Sequence, residues 1–236
     1  MFASRFRLAL LLVLAVHAWA EDASTTNEFW PEANLFLRVH PNFRLIFDVK
    51  RERDAEFRNI EVGGDIEFSV HRFRARRGLP WLEQDATRRT LISIRAGYKY
   101  KKSFDSTPPA HENRPEVEFT MRWIFMGKVL VSNRARWEFR LVSGSPYSWR
   151  YRDQIKTEKD FRMRSYTFTS YIAAESFYNS KKDTWDRFRF SGGAVFPISK
   201  SFSLEPYYIR QVVADSQPRF TNALGLVAAI HLPRPK

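Results

Sequence analysis

The sequence predicts an all-β fold, an antiparallel transmembrane β-barrel of about twelve strands with ten as the alternative. Three observations predict it. Apolar and polar residues alternate with period two along most of the chain. No apolar run beyond residue 20 approaches the length of a membrane helix. The polar face of the alternating runs is unusually rich in fixed charge.

The first segment stands apart from the barrel. Arg5 and Arg7 precede an apolar run over residues 8–16, and His17-Ala18-Trp19-Ala20 places small residues before the polar Glu21-Asp22. A basic start, a short apolar stretch and an Ala-x-Ala exit together define an export signal. The run is too short to span about 30 Å of hydrocarbon. The expected organisation is therefore a signal peptide over residues 1–20 and one outer-membrane barrel domain over 21–236. Loss of Arg5 and Arg7 lowers the formal net charge from +13 to +11.

The strands follow in order. A first near 34–39 is irregular, and 43–50 comes next. In 61–71, Val62, Gly64, Ile66, Phe68 and Val70 share one face and Glu61, Asp65, Glu67, Ser69 and His71 the other. In 116–125 the apolar set is Val117, Phe119, Met121, Trp123 and Phe125. In 129–141 it is Val129, Val131, Ala135, Trp137, Phe139 and Leu141. Similar runs cover 91–100, 147–152, 166–177, 185–190, 202–208 and 220–232, which makes eleven. Because single-chain bacterial barrels have an even number of strands, twelve is expected. Loops are expected at 71–88, 103–114, 153–160 and 179–183.

Alternation by itself also suits a soluble β-sandwich, which remains an alternative. The membrane reading is favoured by aromatics near strand ends on the apolar faces, such as Trp123, Phe125, Tyr98, Tyr100, Tyr147, Trp149, Tyr207 and Tyr208. If the polar face lines a lumen, its expected charge network comprises Glu61, Asp65, Glu67, Glu116, Glu118, Arg122, Arg134, Arg136, Glu138, Arg140, Arg187 and Arg189. Charges in a narrow lumen need partners, and Arg offers two-pronged geometry to carboxylates. A three-residue connection at Met126-Gly127-Lys128 sets Phe125 opposite Val129, hence Glu118 opposite Arg136 and Glu116 opposite Glu138. Glu116 then needs a neighbouring cation, with Arg140 in diagonal reach. The expected lumen is narrow and crossed by such ladders, because about twelve strands with long inner side chains leave little bore.

Composition closes several classes. At 44% hydrophobic residues the chain is not a disordered one, and with no Cys it holds no disulfide, Cys-ligated metal or thiol nucleophile. A mean hydropathy of -0.45 excludes a helical membrane bundle but not a barrel with a polar interior. His40, His71, His111 and His231 are too scattered to suggest a metal site, and no Gly-rich phosphate loop is present. Neither metal nor cofactor is expected. Ser69 and His71 come nearest to a catalytic pair, but they lie on the expected inner face without an oxyanion hole or an orienting partner. No enzymatic activity is expected; a lipid-modifying hydrolase centred on this pair is the alternative. A pI near 10 would suit nucleic acid, but export argues against it. Basic clusters at 72–77, with Arg88-Arg89, and at 99–102 fit either lipopolysaccharide phosphates or solvated faces.

The chain also resembles the domain-of-unknown-function 2490 family of Gram-negative outer-membrane-type β-barrels. The resemblance rests on Glu28-Phe29-Trp30, the Arg-rich strand 133–140, the segment 185–193, Pro206-Tyr207-Tyr208-Ile209-Arg210-Gln211, and Asn222-Ala223-Leu224-Gly225-Leu226. It implies an outer-membrane barrel and no particular activity. One departure is the end of the chain, Ile230-His231-Leu232-Pro233-Arg234-Pro235-Lys236, where such barrels usually close on an aromatic residue read by the insertion machinery. The expected role is a structural or small-solute, porin-like membrane component with a charged, largely occluded lumen. Its expected partners are outer-membrane lipid, including lipopolysaccharide phosphates, and the barrel-assembly machinery; a soluble periplasmic binding protein is the further alternative.

Overall fold

The computed structural model describes residues 25–54, 57–72, 90–104, 110–125, 129–164, 166–214 and 219–232. The export signal and the expected loop at 71–88, apart from the backbone of His71 and Arg72, lie outside them. Among the described residues every regular element is a strand: β1 (Thr25–His40), β2 (Phe43–Asp54), β3 (Phe57–Arg72), β4 (Thr90–Ser103), β5 (His111–Phe125), β6 (Val129–Val142), β7 (Ser148–Met163), β8 (Tyr166–Asn179), β9 (Thr184–Pro197), β10 (Phe202–Val213) and β11 (Phe220–Leu232). Each of the eleven alternating runs corresponds to one strand.

Consecutive strands pair antiparallel, and β1 pairs with β11 in parallel, from Thr25 opposite Phe220 to Leu37 opposite Leu232, so that one sheet closes into a barrel. The expected twelve strands are therefore corrected to eleven. An even count is required only if the last strand returns antiparallel to the first. A parallel seam also satisfies the backbone donors and acceptors of both edges, so closure needs no twelfth strand. With an odd number, the chain enters the barrel at one end and leaves at the other.

The alternation places charge inside and hydrocarbon outside. Glu67, Arg114, Glu138 and Glu116 are buried within the barrel, whereas Phe47, Ile66, Phe125, Ile155, Ile172, Phe190 and Leu224 are exposed around it. A single closed sheet with this polarity replaces the two stacked sheets and apolar core of a β-sandwich, which corrects that alternative.

Several boundaries move. β1 starts at Thr25 rather than near Asn34, because Trp30 turns inward and Pro31 outward, against the expected polarity. β7 runs through the expected loop at 153–160: Gln154, Lys156 and Glu158 continue the inner face, and the outward Asp153 and Lys159 disguise the period. β5 likewise begins within the expected loop at 103–114, at His111. The expected turn near 179–183 is present after Asn179.

Tyr207 is corrected from the outer to the inner face. It stands opposite Gly225, where a Cβ would lie only 1.9 Å from the tyrosine Cζ, and packs with Trp30, Ile209 and Ala223. The missing side chain on β11 is what admits the ring. Gly225→Ala is expected to destabilise the barrel by about 1–3 kcal/mol through overpacking. Gly192→Ala, whose Cβ would meet nothing closer than 3.6 Å, is expected to stay within about 0.5 kcal/mol. Denaturant midpoints compare the two, and equal shifts would refute the account of Tyr207.

Candidate functional site

The inner wall is the candidate site. Its β5–β6 part has the register that a three-residue connection demands: Phe125 opposite Val129, Glu118 opposite Arg136 and Glu116 opposite Glu138. Arg136 donates to Glu118 through Nε at 2.9 Å and Nη2 at 2.6 Å. Arg140, however, does not serve Glu116. It donates to both oxygens of Glu112, at 2.8 and 2.9 Å, on the opposite diagonal. Glu116 instead lies 3.6 Å from Arg136 Nη1 and 3.8 Å from Arg114 Nε. The sequence reading placed Glu112 in a loop, so the competing diagonal was invisible.

From this pair an ion network extends round the wall. Glu118 faces Arg95 at 3.7 Å and Arg134 at 3.8 Å, and Glu67 bridges Arg95 at 3.2 Å to Arg44 at 3.1 Å. Asp65 receives Lys99 at 2.8 Å, and Lys99 also contacts Asp48. Glu61 pairs with Arg114 and lies 3.8 Å from Lys50. On the other flank Glu138 accepts from Arg150 at 2.6 Å and Arg152 at 2.8 Å, while Glu175 gathers Arg134 at 2.7 Å, Arg152 at 2.8 Å and Arg189 at 3.8 Å. Arg189 also donates to Gln211 at 2.6 Å. Arg122 donates to the hydroxyls of Ser93 at 3.0 Å and Thr90 at 3.3 Å.

Arg187 belongs to a second grouping. The guanidinium carbons of Arg152, Arg187, Arg189 and Arg150 lie 4.6, 5.2, 5.2 and 5.6 Å from the ring centroid of Phe177, which is almost wholly buried. An aromatic face supplies negative quadrupole where neighbouring cations outnumber carboxylates.

The ion pairs described here join strands no more than two places apart round the wall. They line the lumen rather than cross it, which corrects the expected cross-lumen ladders. An Arg head finds a carboxylate on the next strands, about 5–10 Å away, before it reaches the far wall. Among the described residues the wall encloses a cavity of about 410 Å³.

Charge is uneven around that cavity. The inner residues of β11, Thr221, Ala223, Gly225, Val227 and Ala229, carry none and pack beside Trp30 and Ile209, while Glu32 on β1 and Glu205 on β10 stand opposite Val227 and also line the cavity. Sequence reasoning missed Glu52, Lys101, Glu112, Arg114, Lys156 and Gln211. Glu112 and Arg114 continue the alternation of Glu116 and Glu118 across the outward Pro115, and a proline ordinarily argues against a strand. The cluster at 99–102 divides: Lys99 and Lys101 point into the lumen, Lys101 meeting Glu52 at 3.2 Å, and Lys102 is exposed. The side chains of the cluster at 72–77 and of Arg88-Arg89 lie outside the described residues.

Ser69 is buried on the inner face opposite Ser93, and the side chain of His71 lies outside the described residues. Among the described residues no group of three or more His, Asp or Glu side chains is placed to hold a metal ion.

None of the curated proteins matches the chain. The family described as "Protein of unknown function (DUF2490)" matches residues 27–222, most of the chain, from β1 to the first residues of β11. With its barrel and Arg-rich inner wall, the chain belongs to the DUF2490 family.

Proposed function

We propose that this protein is an outer-membrane β-barrel whose lumen is a closed, charged compartment, acting as a structural membrane component or as the passage of a small solute. The observation that carries the reading is polarity: exposed Phe, Ile, Leu and Trp surround a barrel with many of its charged side chains buried inside. In water such a belt is an aggregation hazard, whereas in hydrocarbon it is the required surface. Strand length supports it too. Strands of 12 to 16 residues rise about 40–53 Å along their own axes, enough at a 45° tilt to exceed an apolar band about 25 Å tall. The exposed Lys102, Lys181 and Lys182, at one rim, suit anionic headgroups such as lipopolysaccharide phosphates. Export by a cleaved signal and insertion by the assembly machinery complete the proposal, which includes no catalytic step.

Fractionation of the expressed protein, followed by gel mobility in detergent with and without boiling, tests it. Recovery in the outer membrane with a heat-dependent shift is the expected result. A soluble, non-shifting protein would sink the proposal. Given a membrane barrel, planar bilayers then separate the two roles: a solute passage gives discrete conductance steps, and a purely structural barrel gives none.

A further inference from the structure

The cavity has two unlike walls, and on one of them Arg95, Arg134 and Lys156 stand in front of their carboxylates. The side chain of Arg134 is 23% exposed, whereas its partners Glu118 and Glu175 are 4% and 2% exposed. Arg95 is 22% exposed against 1% for Glu67, and Lys156 is 25% exposed against 9% for Glu158. Each pair is neutral in sum, but its positive end faces the space and its negative end lies against the sheet. All three cations line the cavity. Across from them the lining includes the apolar surface of Trp30, Ile209 and Val227, with the carboxylates of Glu32 and Glu205 on the strands either side of Val227. Lys156 joins the two walls, with its ammonium 4.0 Å from the ring centroid of Tyr171.

Unmet hydrogen-bonding capacity around the cavity has one sign. Among its described lining residues, the buried side-chain atoms without a hydrogen-bond partner are Trp30 Nε1, Arg95 Nε and Arg134 Nε, all of them donors. Donors without a hydrogen-bond partner and forward-facing cations around a cavity walled by protein favour negative charge. The aromatic and aliphatic surface of Trp30, Ile209 and Val227 favours hydrocarbon, and the carboxylates beside it direct an anionic group to the other wall. About 410 Å³ falls within the range of small-molecule sites.

We propose that this cavity is a binding site for a small organic anion, its carboxylate or sulfonate held by Arg95, Arg134 and Lys156 and its apolar body laid against Trp30, Ile209 and Val227. The inference builds on the closed-compartment reading above and names the class of solute that the compartment takes.

Calorimetric titration of the folded, purified protein tests it, with 2-naphthoate as probe and 2-naphthamide and sulfate as controls, each against a matched detergent blank. Saturable binding of 2-naphthoate is expected, with the uncharged amide and the body-less sulfate each about tenfold weaker or more. Arg134→Met is expected to weaken 2-naphthoate by about tenfold. Arg162→Met removes an equal charge from an exposed position outside the cavity lining and is expected to leave binding unchanged. The comparison of three ligands on the unaltered protein stands even if a variant fails to fold. The site is refuted if protein that keeps its β circular-dichroism signal binds no 2-naphthoate, or binds amide or sulfate equally well. Equal losses in the two variants would also overturn it, by reducing the effect to net charge. Recovery of the protein without detergent would sink the membrane role but leave this titration unchanged, so the two proposals fail separately.

Discussion

Glu138→Ala is expected to cost the barrel about 3–5 kcal/mol of stability, the usual penalty for removing one partner of a buried ion pair. Glu138 is fully buried and accepts from Arg150 at 2.6 Å and Arg152 at 2.8 Å, with Arg136 at 3.9 Å. Its removal leaves cations enclosed beside an aromatic ring with one carboxylate fewer, and Ala adds a cavity. Glu138→Gln keeps the volume and an acceptor, so its cost is expected to be smaller. Lys182→Ala supplies the scale: its side chain is 39% exposed and 3.7 Å from Asp186, an arrangement expected to contribute less than about 1 kcal/mol. Equilibrium unfolding in detergent by urea reads all three. If Glu138→Ala fell within the scale of Lys182→Ala, the lumen would have to be wet enough to solvate the orphaned guanidinium groups, and the occluded compartment would be wrong.

The second prediction is all-or-none and concerns the odd strand count. β1 and β11 begin at the same end of the barrel and run in parallel, so the entry to β1 and the exit from β11 lie at opposite ends. In a membrane-spanning barrel, an epitope inserted before Thr25 and another appended after Lys236 are then on opposite sides. Antibody labelling of intact cells is expected to detect one of the two, and permeabilised cells both. Detection of both on intact cells would mean an even number of strands and would overturn the parallel seam.

Much of the lumen was legible because a strand's side-chain period is local. A charged residue two places from another charged residue shares its face wherever the strand lies, which is why Glu61, Asp65 and Glu67 could be grouped before any fold was known. The β5–β6 register was legible for the same reason: a short connection fixes the phase of both strands, and Glu118 meets Arg136 as a consequence. Reading failed where one residue broke the local rule. Pro115 hid Glu112 and Arg114, and outward Asp153 and Lys159 hid the length of β7.

What the sequence by itself determined is the strand content, the two faces of each strand and the pairing across its shortest turn, all set by interactions within a few residues. The tertiary structure alone decided the parallel closure, the partners of the cations away from that turn and the apolar surface of Trp30, Ile209 and Val227. Arg114 reaches Glu61 across 53 positions of sequence, and the Tyr207 hydroxyl lies 3.4 Å from the Trp30 carbonyl across 177. The first contact needs β3, β4 and β5 side by side, and the second does not exist until the last strand has met the first. Sheet pairing brings competing acceptors within reach of each Arg, and geometry then selects among carboxylates that the local pattern leaves equivalent.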